Sequence, residues 1–431
     1  MKAESMDEGC ILVCRECDAL HRLESRLRPG HIVLCSRCQA LLHKFMHPNA
    51  REHCLALHLA ALMLFALANF FPFLTLKISG REATDMFVSA TTALFSIGNM
   101  DIAVLVLLTS VVFPLLTMLG ALYLLIPAQF GHQAPAAGMV FRLVHRITPW
   151  SMLGVFMLGV IIAIVKLLDM ADMEFGIALF AFLALLPVYV LAQQGFRASL
   201  FWPVQQDIPG HGRRCPPGRA CDHGLVVCHT CGWLMPAQET PVRCPRCTDI
   251  VHARKPNSTA RTWALLITGI MLFIPANVFP IMTVIQLGDG EPNTIFGGVV
   301  HLIEAGMWPL GLIVFFASII VPISKFVVIL FLLLSVRHGS GWRAQDRTRL
   351  YRVTESIGSW SMVDIFVIGL LASLVHFGNI IQIRPEIAAS FFAATVVVTM
   401  FAAQSFDPRL IWDRLDEQPQ PDRALQEQGV G

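Results

Sequence analysis

Eight apolar runs, each close to the roughly 20 residues that carry a helix across a hydrocarbon core, constrain this chain more than any other feature. They cover residues 55–76, 101–126, 150–169, 175–193, 263–287, 308–336, 360–383 and 387–404. With 55% hydrophobic and 14% charged residues, the chain lacks the water-facing surface of a soluble domain, where about 25% of residues are charged. The first 40 residues are polar and carry no basic-then-apolar leader, so the first apolar run is expected to act as the insertion signal.

The runs form two sets of four. Ala68-Asn69-Phe70-Phe71-Pro72 returns as Ala276-Asn277-Val278-Phe279-Pro280. Phe113-Pro114 returns as Val321-Pro322, and Trp150-Ser151-Met152 as Trp360-Ser361-Met362. The spacing predicts a tandem duplication. An even number of spans per unit gives both units the same orientation, a parallel repeat. The prolines predict a helix end near Pro72 and Pro280, and a loop holding Pro127 and Pro135 before the third span. Short turns are expected at 170–174 and 384–386.

Loop charge sets the topology. Residues 195–262 hold Arg197, Arg213, Arg214, Arg219, Arg243, Arg246, Arg254, Lys255 and Arg261. The loop after the sixth run holds Arg337, Arg343, Arg347, Arg349 and Arg352, and that after the second holds Arg142 and Arg146. The opposite side holds Lys77, Arg81 and Arg384 beside acidic Asp172, Glu174, Asp289 and Glu291. The positive-inside rule then places both termini in the cytosol.

Each set of runs is preceded by a cysteine framework. Of twelve cysteines, eight stand in four Cys-x-x-Cys pairs: Cys14, Cys17, Cys35 and Cys38, then Cys228, Cys231, Cys244 and Cys247. A Cys-x-x-Cys turn aims two thiolates at one ion, and two turns complete a closed tetrahedral sulfur site suited to structural zinc. Iron in a rubredoxin-like site would use the same ligands and carry electrons, and a dithiol redox pair is a further reading. Cys10, Cys54, Cys215 and Cys221 read as bystanders, as do His229 and His252. The basic residues beside the ribbons are explained by topology and anionic headgroups, so no nucleic-acid partner is expected.

Ionisable groups inside spans are costly and mark function. Lys166 and Asp169 stand at i and i+3 near the end of the third span, on one helix face. The repeat sets His376 and Asn379 at the equivalent places. Lys325 lies about ten residues inside the sixth span, with Thr117 as its counterpart. These five residues form the expected polar network. Asn69 and Asn277 read as caps for broken helix ends.

The domain plan is ribbon 1 over 10–50, four spans over 55–195, linker and ribbon 2 over 196–260, four spans over 261–406, and a cytosolic tail over 407–431. The fold class is an all-α polytopic membrane protein, two repeats of four helices, each preceded by a small ribbon. The doubled ribbons, the Asn-x-x-Pro elements, the Trp-Ser-Met elements and the duplication together resemble the paraquat-inducible protein A family over residues 10 to 410. That resemblance implies tetraspanin-like bundles in the inner membrane of a double-membraned bacterium. It further implies a periplasmic mammalian-cell-entry (MCE) domain partner that forms a tunnel, and phospholipid moved between membrane and tunnel without enzymatic chemistry. No Walker-type Gly-rich Lys-Ser/Thr motif is present, so no ATPase is encoded here. The competing functions are a membrane redox protein with iron ribbons and a passive anchoring subunit.

Overall fold

The computed structural model describes residues 11–22, 30–44, 49–78, 81–85, 91–92, 94–95, 98–168, 172–202, 218–237, 242–286, 289–304, 306–374 and 381–416. Among them, eight helices are long and apolar enough to cross a membrane, four in each repeat. In the first repeat these are α1 (Ala50–Phe70), α2 (Met100–Gln129), the amphipathic α3 (Ala137–Ile147) continued by α4 (Leu153–Leu168), and α5 (Ile177–Gly195). The second repeat has α6 (Ser258–Val278), a short α7 (Ile295–Glu304), α8 (Trp308–Arg337), amphipathic α9 (Ala344–Ile357) continued by α10 (Val363–Leu374), and α11 (Ile387–Ser405). A last helix, α12 (Leu410–Asp416), closes the described chain. The protein is a multi-pass membrane protein, with a cluster of four cysteines ahead of each set of four spans.

Proline punctuation shapes the spans. Helices α1 and α6 end two residues short of Pro72 and Pro280. Inside α2, residues Leu108–Val112 take a π turn, and inside α8 residues Phe316–Ile320 do the same. In the first of these, Phe113 N–H bonds the Leu108 carbonyl, five residues back. The next residue, Pro114, has no N–H, so the Thr109 carbonyl loses its helical donor. Met152 N–H fills that place at 3.1 Å. The Trp-Ser-Met element thus begins the third span by closing a gap that the proline opened. Pro127 differs from expectation: α2 runs through it and ends at Gln129, because its missing bond falls in the last turn near solvent. The expected loop beyond it contains α3, whose Phe141 and Val144 are buried.

Two three-stranded antiparallel sheets lie at the end of the bundle away from the ribbons, where turns and loops were expected. In one, β5 (Leu74–Ile78) is flanked by β6 (Arg81–Asp85) and β7 (Asp172–Phe175), with Leu74 opposite both Asp85 and Phe175. In the other, β12 (Met282–Gln286) lies between β13 (Asp289–Asn293) and β14 (Ile381–Pro385). Each sheet pairs the strand leaving a repeat's first span with the strand leading into its fourth. That pairing draws α1 against α5 and α6 against α11, the broadest helix contacts among the described residues. Gly176 shows how close the approach is: its N–H bonds the Phe73 carbonyl at 3.1 Å, and a Cβ there would overlap the Pro72 carbonyl.

The repeats meet through their third spans. A Cβ on Gly159 of α4 would stand 3.0 Å from the Phe366 Cβ of α10, and the Phe156 and Phe366 rings pack edge to face at 5.3 Å. Small residues that let backbones approach are the usual means of association in lipid, where hydrophobicity does not drive helices together. The core formed there continues through both bundles, from Phe65 and Phe182 to Phe392 and Met400.

Candidate metal centres and polar networks

Four copies of one backbone turn build the cysteine sites. In each, the residue after the second cysteine bonds back to the first cysteine's carbonyl: Asp18 to Cys14, Gln39 to Cys35, Gly232 to Cys228 and Thr248 to Cys244, at 2.9–3.0 Å. All four of these residues have positive φ, at 63°, 60°, 78° and 57°. Only glycine takes this conformation without cost, and β-branched Thr248 is the most strained of the four. Short hairpins carry the turns. In ribbon 1 they are β1 (Ile11–Val13) with β2 (Leu20–Arg22) and β3 (Ile32–Leu34) with β4 (Leu41–Lys44). In ribbon 2 they are β8 (Leu225–Val227) with β9 (Leu234–Pro236) and β10 (Val242–Arg243) with β11 (Ile250–Val251).

The eight cysteines predicted from spacing come together as two buried sets of four, the sulfurs of each within 4.8 Å of one another. Cys14–Cys38, Cys228–Cys247 and Cys231–Cys244 sulfurs lie 3.4 Å apart and Cys17–Cys35 3.5 Å. Tetrahedral thiolates at about 2.3 Å from zinc would stand about 3.8 Å apart, so the sets fit such an ion and are too far apart for disulfides. The Arg37 N–H points at Cys35 Sγ at 3.4 Å, as suits a thiolate. His229, one of the histidines beside the ligands, is engaged elsewhere: Arg409 donates to its Nε2 at 3.0 Å. Burial and the Arg409 charge push the His229 pKa down to about 3, which keeps the ring neutral. Among the described residues, Cys54 and Cys221 stand outside both sets, while Cys10 and Cys215 lie outside the described residues.

The ribbons are exchanged between the repeats. Ribbon 1, which precedes the first repeat, sits on the second. Arg352 of α9 donates to the Cys38 and Gln39 carbonyls at 2.6 and 3.0 Å and lies 3.0 Å from Glu16, while Arg37 stacks over Trp412 of α12. Ribbon 2, which precedes the second repeat, sits on the first. There Arg142 of α3 donates to the Thr248 carbonyl at 3.0 Å and Arg146 pairs with Asp249 at 2.9 Å. Arg142 and Arg352 hold the same repeat position, eight residues before Trp150 and Trp360. Gln39 and Thr248 likewise each follow the last cysteine of a ribbon. Equivalent arginines therefore grip equivalent carbonyls, each on the other unit's ribbon. The ribbons also touch each other, through Leu20 N–H to the Gly218 carbonyl and Ala220 N–H to the Asp18 carbonyl, around a core of Ile11, Leu225, Val227 and Leu234.

The segment after the last span locks this pair. Asp407 and Arg409, each 1% exposed, pair at 2.9 Å, and Lys255 donates to the Gln404 and Phe406 carbonyls. Although burial opposes it, the hydrogen bonds and charge of Arg409 hold Asp407 below the usual carboxylate range. Asp413 joins Arg219 and Arg254, and Arg254 reaches Asp18 of ribbon 1.

Gly138 of α3 offers a direct test of the exchanged seat. A Cβ there would overlap the Arg246 carbonyl and lie 2.9 Å from the Cys247 Cα, both rigid backbone. Gly138→Val is expected to lift ribbon 2 from α3, by steric conflict of about 1–3 kcal/mol, with all four ligating thiols kept. Limited proteolysis between residues 196 and 257 should speed up severalfold while metal content stays unchanged; unchanged cleavage would rule out this seat.

Of the expected polar network, Lys325 is the member whose side chain is described. It is 3% exposed and donates to the Gly358 carbonyl at 2.6 Å and Ser361 Oγ at 3.0 Å, beside a cavity of about 240 Å³ that Glu355 and Thr399 also line. Lys166 lies on α4 with its side chain outside the description, and Asp169, His376 and Asn379 fall outside the described residues. In the first repeat, Thr117 meets Tyr189 at 3.0 Å, and Tyr189 meets Ser151 at 2.7 Å. Both repeats thus tie the serine of the Trp-Ser-Met element into a buried polar knot, with a tyrosine in one and a lysine in the other. Sequence reasoning missed Ser151, Ser361 and Tyr189, although the recurring serine was the available signal. The Asn69 and Asn277 amides donate to the Phe65 and Phe273 carbonyls, four residues back, at 2.7 and 2.9 Å; those carbonyls lie inside α1 and α6, so the side chains bond back along the helix instead of capping its end as expected. At the sheet end of the second repeat, Leu302, Leu310, Val314, Val367 and Ile368, with Ile162 of α4, line a small apolar cleft of about 60 Å³.

The profile of the family described as Paraquat-inducible protein A matches residues 52–206 and 259–416, the two membrane repeats. Intermembrane transport protein PqiA of Escherichia coli (strain K12) is 34% identical over 94% of this chain and 96% of its own length. Lipophilic envelope-spanning tunnel protein A of the same strain is 29% identical over 95% of the chain and 93% of its own. A probable intermembrane transport protein of Haemophilus influenzae is 29% identical, over 95% of this chain and 97% of its own. No solved structure matches the chain.

Proposed function

Because the chain belongs to the paraquat-inducible protein A family, we propose that it works in a bacterial inner membrane, passing phospholipid to or from a periplasmic MCE-domain tunnel protein. The observation that carries this reading is similarity along nearly the whole chain to proteins named for intermembrane transport and for an envelope-spanning tunnel. A small apolar cleft of the second repeat, which Ile162 of α4 also lines, lies near the end of α4 that carries Lys166, and at about 60 Å³ its walls suit only a short piece of an acyl chain. Loop charge supports cytosolic ribbons and termini, which puts the sheets at the periplasmic face, where a tunnel partner would dock. Closed, buried four-sulfur sets support structural zinc in both ribbons and leave no ligand position for catalysis.

In this reading the chain is a non-enzymatic transporter. Lys166 and Asp169 of the third span, with His376 and Asn379 at the equivalent positions of the seventh, are the polar residues assigned to the path, and the Lys166–Asp169 pair changes protonation during transfer. The test is purification of the tagged chain in mild detergent, with mass spectrometry of bound protein, lipid and metal. The expected result is an MCE-domain protein, phospholipid and two zinc ions per chain. Iron without that partner would favour the redox reading. Asp169→Asn that keeps the partner but loses transfer would separate transport from anchoring.

A further inference from the structure

A further cavity lies at the ribbon end. It encloses about 480 Å³ between ribbon 1, ribbon 2, α3 and the end of α5. Its walls include Arg15, Arg197, Arg246, His43, His145 and Gln193. Nothing in the transport reading uses it.

Three features point to one kind of ligand. First, among the described residues no carboxylate pairs with Arg15 or Arg197, although the two guanidinium groups face the same space. Glu16, the acid on the wall, is engaged by Arg352. Second, the Gln193 amide nitrogen lies buried on the same wall, with the Tyr189 hydroxyl as its protein neighbour and no acceptor at full hydrogen-bond distance. A buried donor left unpaired costs about 1–3 kcal/mol, so an acceptor-rich guest would relieve it. Third, the cavity opens where the last span of the first repeat leaves the apolar layer, at Gln193 to Ser199. Burial lowers the pKa of Arg197.

Opposing charges must be weighed. The end of α5 carries about half a negative charge, but the Ala192 and Gln193 carbonyls accept the Phe196 N–H. Metal-bound thiolates of ribbon 2 attract Arg15, which reaches across from ribbon 1 to within contact of Gly232. They attract Arg246 as well, and that group also stacks on Trp233. No thiolate acts on Arg197, whose lowering has burial as its cause. Arg197, with Gln193, is therefore the part of the wall left to a guest.

We propose that this cavity binds a phosphate group, presented by the headgroup of an anionic phospholipid in the leaflet beside the ribbons. The inference rests on the topology above, not on lipid transfer. The experiment uses the full-length, metal-loaded chain in detergent. Retention of phosphatidylglycerol and of phosphatidylcholine is measured by native mass spectrometry, with inorganic phosphate as competitor. Phosphatidylglycerol should be retained preferentially, and Arg197→Ala should weaken it about tenfold with metal content unchanged. Competition by inorganic phosphate without preference for phosphatidylglycerol would support the phosphate site but assign it to a free anion. Equal retention by the parent and Arg197→Ala would overturn the proposal. So would loss of metal from Arg197→Ala, because the arginine would then be a counter-ion of the thiolates. Should that variant fail to fold, rising salt applied to the parent chain decides: retention of phosphatidylglycerol insensitive to salt also overturns it.

Discussion

Cys244→Ser should strip the second ribbon of its ion and release it from both of its seats. Its strands are two or three residues long, and its apolar filling amounts to residues such as Val226, Met235 and Val251 packed around the cysteines. A core of that size does not hold a fold; a metal bound by the four thiolates would, with apparent binding energies of about 10–16 kcal/mol where the ion is structural zinc. Losing one of four thiolates removes much of that. The conformations at Gly232 and Thr248, imposed by the turns, then relax. With them goes the Thr248 carbonyl that Arg142 grips, and the Asp249 partner of Arg146. The expected readout is loss of about one metal ion per chain and rapid proteolysis between residues 218 and 257. Ribbon 1 should stay on α9 through Arg352. Cys221→Ser serves as the control, because Cys221 belongs to neither sulfur set. Full metal content and unchanged cleavage in Cys244→Ser would show that the ribbon stands on its own packing.

Lys325→Met should abolish phospholipid transfer between reconstituted vesicles while leaving thermal stability equal or higher. The lysine is buried at membrane depth and its two described partners are neutral, the Gly358 carbonyl and Ser361 Oγ. Desolvating an ammonium costs several kcal/mol, and two neutral acceptors offset part of that. Methionine matches the length without the charge. It leaves those two acceptors unpaired at about 1–3 kcal/mol each, against the charge penalty of several kcal/mol that it removes. A group retained against its own stability cost is a functional candidate, and a transfer rate down tenfold or more would bear that out. If transfer persists and stability drops, Lys325 is a structural tie like Tyr189 in the other repeat, which holds Thr117 and Ser151 without a charge.

What the sequence disclosed follows from local physics. Twenty apolar residues need no partner to declare a span, so all eight were legible, as were the four turns whose cysteine spacing is fixed by one ion. The sheets escaped because their strands were absorbed at the ends of apolar runs, as with Met282–Gln286, or were mixed in polarity, as with Arg81–Asp85. Strands that leave one span and reach another declare themselves only when the spans are already side by side. The exchange of ribbons escaped for a related reason. Arg352 meets Cys38 across 314 positions of chain, and an arginine in a basic loop carries no mark of the carbonyl it will find. Lys325 was visible as a charge among apolar neighbours. Its partner Ser361 was not, because a serine in a span is ordinary until a lysine points at it.

The crossed seating of the ribbons bears on how such a chain arose. A single unit of one ribbon and four spans would carry the arginine seat, but in this chain each seat is filled by the other unit's ribbon. Such a unit would have been stable as a two-fold pair, each member embracing the other. Gene fusion then turned an association that depended on concentration into an obligatory one. Once joined, the two copies no longer had to match, so one could keep a tyrosine where the other acquired a lysine. By the same logic, cutting the chain between Gly195 and Ser258 would yield two fragments, each carrying the other's missing piece.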